Sequence, residues 1–93
     1  MIEPLRTKFE RVMIIDDTII DLYIASQVIT KNNFGKTILE YSNSKKALNY
    51  LQENQEYIEL LPQVIFLDLY MPIMSGFQFL EEYEKLSSTL VNC

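Results

Sequence analysis

The sequence predicts an α/β fold, a doubly wound sheet of parallel strands, and three observations carry that prediction. Two short runs, RVMIID at 11–16 and QVIFLD at 63–68, are apolar without interruption and end in Asp. Such runs mark strands buried on both faces of a parallel sheet. The segments beside them space their apolar residues at helical rather than alternating intervals. The resulting order, β-α-β-α-β-α, implies right-handed crossovers with helices layered on the sheet.

Each element has its own local reason. After the first strand, Ile20, Ile24 and Val28 recur every four positions between Thr18 and Lys31, flanked by Ala25 and Ile29. They predict a helix capped by Asp17 or Thr18, with that stripe facing the sheet. NNFG at 32–35 stops it. GKTILEYSN at 35–43 is a more polar strand, suited to a sheet edge. Ser44 is placed to cap a second helix, KKALNYLQEN, whose inward stripe is Ala47, Leu48 and Leu51, and QEYIELLP then reads as an irregular connector closed by Pro62. From Gly76, GFQFLEEYEKL puts Phe77, Leu80 and Tyr83 or Glu84 at helical spacing, with an end expected near Leu86.

Composition bounds the function. Ninety-three residues, 48% of them hydrophobic, suit one domain over 1–93, with 1–10 as a leader segment. Eight Lys and Arg against thirteen Asp and Glu give a formal charge of −5, which disfavours nucleic acid, where cationic side chains supply most of the affinity. The chain has no histidine, so Ser-His triads, Cys-His dyads and most zinc sites are excluded. A single cysteine, Cys93, leaves no internal disulfide and points to a reducing compartment. MIEPLRTKFE is too polar for a signal peptide, and no run approaches the roughly 20 apolar residues of a membrane span. A soluble cytoplasmic protein is expected.

The strand-end acids then acquire a meaning. A lone Asp after a strand is ordinarily a helix cap or turn residue, and Met71-Pro72 with Ser75-Gly76 is by itself only turn chemistry. In an open α/β sheet, however, ligands bind at the carboxyl ends of the strands, where the strand order reverses. If strands one and three are neighbours, Asp16, Asp17 and Asp68 converge there. Two carboxylates about 4 Å apart repel by roughly 4 kcal/mol at an effective dielectric near 20, and a divalent cation relieves that repulsion. Oxygen donors without histidine favour a hard ion, and two or three carboxylates with a carbonyl and waters suit Mg²⁺ better than a Ca²⁺ cage. DDTIID lacks the glycine and terminal Glu of an EF-hand.

VMIIDDT together with VIFLDLYMPIMSGFQFL resembles the receiver domain of two-component response regulators, across residues 11–86. The resemblance implies a flavodoxin-like sheet of order 2-1-3, cut to β1-α1-β2-α2-β3-α3. Asp68 would be the phosphoacceptor and a metal ligand, Asp17 a direct ligand, Asp16 a ligand through water, and Tyr70 the donor of a backbone carbonyl, all for Mg²⁺. The implied phosphodonor is a sensor histidine kinase or a histidine phosphotransfer protein, and the implied role is signalling rather than enzymatic. The family's two further strands, one ending in Ser or Thr and the next in Lys, have no counterpart among these 93 residues, and Ser87, Ser88, Thr89 and Lys85 are not assigned to them. The domain therefore reads as an incomplete receiver. A protein-interaction module that keeps the fold without the switch is the alternative reading. A haloacid-dehalogenase-type phosphatase lacks its second Asp, because Thr18 and Tyr70 stand two residues after Asp16 and Asp68. Without a fourth strand, the edge of VIFL is expected to be open and the 93-residue form to be a homodimer.

Overall fold

The computed structural model describes residues 7–68 and 74–91, with side chains through Lys85. Its elements are β1 (Phe9–Ile15), α1 (Ile19–Lys31), β2 (Gly35–Tyr41), α2 (Ser44–Glu53), β3 (Val64–Leu67) and α3 (Gly76–Val91), with a 3-10 turn at Ile58–Leu60 before β3. The sheet is wholly parallel in the order β2-β1-β3, the α/β arrangement with β2 at an edge that the sequence predicts. β1 begins at Phe9, two residues ahead of the expected start.

Successive residues of β1 point to opposite faces and so build two cores. Met13 and Ile15 meet Ala47, Leu48 and Leu51 of α2 and Phe79 of α3. Val12 and Ile14 meet Leu22 and Ile29 of α1. All four β1 residues are at most 3% exposed. Helices thus cover both faces of the central strand, which is why its sequence can be apolar without alternation.

Three expectations need correction. The inward stripe of α1 is Leu22 and Ile29, with Ala25 packed against the same cluster, whereas Ile20, Ile24 and Val28 are 67%, 53% and 54% exposed. The helix carries two apolar stripes roughly 130° apart, and the one that docks includes the small Ala25. In α3, Phe79 is the buried residue, while Phe77 and Leu80 face solvent and Tyr83 is half-buried; the helix runs on to Val91, beyond the expected end at Leu86. β3 is not buried on both faces: three of its residues are half-buried and Phe66 is exposed, because a strand with one neighbour lacks cover on its outer side.

Of the expected caps and turns, only the cap of α2 is displaced, by one residue. Thr18 is the N-cap of α1 but makes no side-chain cap bond. α2 is capped by Asn43, whose Oδ1 accepts from the backbone N–H of Lys45 at 2.8 Å and Lys46 at 3.2 Å. Ser44 is instead the first helical residue. Its hydroxyl is buried and donates to the carbonyl of Met74, tying the start of α2 to the segment that leads into α3. NNFG does stop α1: Asn33 takes a φ of 51°, a left-handed conformation that Asn tolerates better than branched residues do.

Candidate metal centre

The register of the sheet brings the acids together. Ile15 of β1 lies opposite Leu67 of β3, so the residues that follow each of them, Asp16 and Asp68, leave the sheet side by side at its carboxyl edge. Backbone bonds fix both exits: the Asp68 N–H donates to Ile15 O at 2.9 Å, and the Asp16 N–H donates to Tyr41 O of β2 at 3.0 Å. Asp17 then starts the turn into α1. One carboxylate oxygen from each of Asp16, Asp17 and Asp68 lies within 4.8 Å of the other two, which is the convergence inferred from the strand ends.

Local geometry orients two of the three. Asp16 Oδ1 accepts from the Thr18 N–H at 3.0 Å, and the Thr18 hydroxyl donates to Asp17 Oδ1 at 3.5 Å. Asp16 and Asp68 are half-buried and Asp17 is exposed, so the cluster opens to solvent on one side. Burial pushes the Asp16 carboxyl above its ordinary value, the Thr18 N–H opposes that rise, and the negative charges of Asp68, Asp21 and Asp17 reinforce it. Asp16 thus resists ionisation among its acidic neighbours. A cation of charge +2 would reverse the sign of that effect, and an all-carboxylate donor set of this size fits a hard ion that keeps several waters.

Asp21 is the residue that sequence reasoning missed. It stands in the first turn of α1 and, with Asp16, Asp68, Ala25 and Phe66, lines an open cleft of about 330 Å³ between that helix and β3. Its signal was available in its place, in the first turn of the helix that leaves the acidic end of β1. Tyr70, expected to supply a carbonyl, lies outside the described residues.

Comparison with known proteins agrees with this fold. The family model of the response regulator receiver domain matches residues 12–91. The receiver domain of the histidine kinase CKI1 from Arabidopsis thaliana, complexed with Mg²⁺ and BeF₃⁻, superposes with a TM-score of 0.74 at 26% identity, over 94% of this chain and 61% of that one. The same domain complexed with Mg²⁺ alone gives 0.74 at 24% identity, over 94% and 63%. The chain therefore spans about three-fifths of the solved receiver domains it matches. No curated protein matches the sequence. No helix among the described residues is long and apolar enough to cross a membrane.

Proposed function

The chain belongs to the response regulator receiver domain family of two-component signalling, and from that premise we propose that Asp68 is its phosphoacceptor. The observation that supports this reading most is the meeting of Asp16, Asp17 and Asp68 where β1 and β3 end side by side. The donor is a phosphohistidine on a sensor histidine kinase or a histidine phosphotransfer protein, since the chain has no histidine to hold the group itself. The setting is cytoplasmic, and the role is that of a signalling module in a phosphorelay.

In the transfer, a carboxylate oxygen of Asp68 forms a bond to phosphorus as the P–N bond to the donor imidazole breaks. The bonding pair returns to the ring nitrogen, and the product on Asp68 is an acyl phosphate. Phosphoryl transfer asks a protein chiefly for in-line positioning and for neutralisation of charge. Asp16, Asp17 and Asp68, with the Tyr70 carbonyl, would hold Mg²⁺, which when bound supplies that neutralisation. The residues of the chain provide the rest. The backbone bonds from Asp16 and Asp68 into the sheet hold the acids in place before the donor arrives, and Thr18 orients Asp16 and Asp17.

The test has two readouts. Mg²⁺ titration followed by backbone amide shifts should perturb the ends of β1 and β3, and Asp17→Asn should weaken binding at least about tenfold, the loss typical of removing a mere supporting group around a metal ligand. Incubation with a phosphorylated histidine phosphotransfer protein and Mg²⁺ should label the chain, and Asp68→Asn should abolish the label while the far-UV spectrum is unchanged. Undiminished labelling of Asp68→Asn, or an Mg²⁺ response indifferent to Asp17→Asn, overturns the assignment.

A further inference from the structure

Among the described residues, Ser44 is the one polar side chain that the fold buries, at 2% exposed. A hydroxyl taken out of water costs free energy unless a partner replaces the water, and alanine would serve this helical turn with better propensity and nothing to satisfy. The hydroxyl is not needed as a cap either, because Asn43 already accepts from the Lys45 and Lys46 N–H groups. It donates instead to the Met74 carbonyl.

Met74 occupies a particular place in the chain. The connection that leaves β3 at Asp68 enters α3 through Met74 and Ser75. Its first residue is fixed by the Asp68 N–H, which donates to Ile15 O at 2.9 Å. Its last is fixed by a capping box: the Ser75 N–H donates to Gln78 Oε1 at 2.9 Å, and the Gln78 N–H donates to Ser75 Oγ at 3.2 Å. Ser44 adds a bond at that second end, and this one reaches across from α2. The Met74 side chain packs against the buried cluster that contains Ile15 and that Leu67 also joins. Ile15 and Leu67 directly precede Asp16 and Asp68, so whatever fixes Met74 also bears on the residues that carry those acids.

We infer that Ser44 is a positioning residue for the acid site. Its hydroxyl holds Met74, and through Met74 the strand ends, in the arrangement that brings Asp16, Asp17 and Asp68 together. The inference rests on the proposed Mg²⁺ site and adds to it a group that is not one of its ligands.

The physical effect is preorganisation. Carboxylates that must meet a cation together lose affinity for every way in which the segments carrying them depart from the bound geometry. Removing one anchor leaves the acids in the chain but lowers the fraction of molecules ready to bind. The coupling is reciprocal, since a cation that favours the anchored arrangement also favours the bond from Ser44 to Met74. The net worth of a single hydrogen bond corresponds to about two- to tenfold in an equilibrium constant, which bounds the effect.

The experiment is Mg²⁺ titration of the 93-residue chain followed by backbone amide shifts, under reducing conditions and at a temperature where wild type and variants share one far-UV spectrum. Ser44→Ala should bind Mg²⁺ about two- to tenfold more weakly, and the shift of the Ser75 amide on Mg²⁺ addition should shrink. Ser44→Cys, with similar volume and only a weak donor, should move affinity in the same direction, and it carries the test if Ser44→Ala does not fold. Leu51→Val alters the same cluster about 10 Å farther along α2. It should lower the urea midpoint and leave Mg²⁺ affinity unchanged. Wild-type affinity in the folded Ser44 variants overturns the positioning role while the Mg²⁺ site stands. Equal weakening in Leu51→Val overturns it too, because general loosening of the core would then be the cause. A wild-type chain with no Mg²⁺ response overturns it together with the phosphoacceptor reading on which it rests.

Discussion

β1 and β3 begin from nearly the same text, VMIID and VIFLD, and reach different environments. Val12, Met13, Ile14 and Ile15 of β1 are at most 3% exposed, while β3 has no fully buried residue. The strands are alike in pattern and direction, but among the described residues β1 has a neighbour on each side and β3 has one. A continuous apolar run therefore reports that a segment forms a strand. Its place in the sheet order decides how much of that strand leaves water.

The sharpest way to break this comparison is to remove the same methyl groups at matched positions. Ile15 and Leu67 face each other across the ladder and point to the same core. Ile15→Ala should cost about 2–5 kcal/mol, as expected for a fully enclosed aliphatic side chain. Leu67→Ala should cost about 1–2 kcal/mol, since less area is exposed anew and the surroundings can collapse into the space. Urea denaturation at low protein concentration reads the difference. Equal costs would mean that β3 is as enclosed as β1.

The same contrast explains what could be read from the sequence. The element order was legible because apolar runs and helical spacing state it locally, whereas the sheet order 2-1-3, on which the convergence of Asp16, Asp17 and Asp68 depends, came from the resemblance to receiver domains. The α2 stripe was legible too, since Ala47, Leu48 and Leu51 are the only apolar choice that helix offers beyond Tyr50. α1 was not. It carries one stripe through Ile20, Ile24 and Val28 and another through Leu22, Ala25 and Ile29, and periodicity cannot say which of two good stripes will find the sheet. The bulkier stripe reads as the stronger signal, yet the stripe with Ala25 docks. α3 failed in a related way, because Phe77 and Phe79 both suit a core and only Phe79 reaches it. The Asn43 cap was hidden by Ser44, an equally good cap residue whose hydroxyl is used by Met74.

A second test asks how tightly the enclosed strand is held against β2. A Cβ built on Gly35 would lie 2.5 Å from Val12 Cγ2 and 3.1 Å from Val12 Cβ. Val12 is fully buried and cannot swing away, so Gly35→Ala should cost about 1–3 kcal/mol through overpacking. Val12→Ala removes the obstructing methyls, and the double variant should be less destabilised than the two single costs predict. A strictly additive pair would show that β1 yields where the packing says it cannot.

The smallest expected effect extends the comparison to the other edge strand. Tyr41 ends β2 opposite Ile15, at the same level as Leu67, and packs against the α2 core with its ring centroid 6.0 Å from that of Tyr50. Burial first, then Tyr50 and Glu53, push its phenol above the ordinary value of 10.0. A folded-state pKa raised above the unfolded one means that the folded chain holds its proton longer. The stability tied to that proton is fully present below pH 10.0 and is lost as the pH rises through the raised value. The urea midpoint of the wild type should therefore fall more steeply above pH 10.0 than that of Tyr41→Phe, which has no proton to lose there. The direction separates two kinds of edge strand: one whose side chains are enclosed by a helix although its backbone is at the rim, and one exposed in both respects. Parallel alkaline slopes for the two proteins would place Tyr41 in the second kind, together with Phe66.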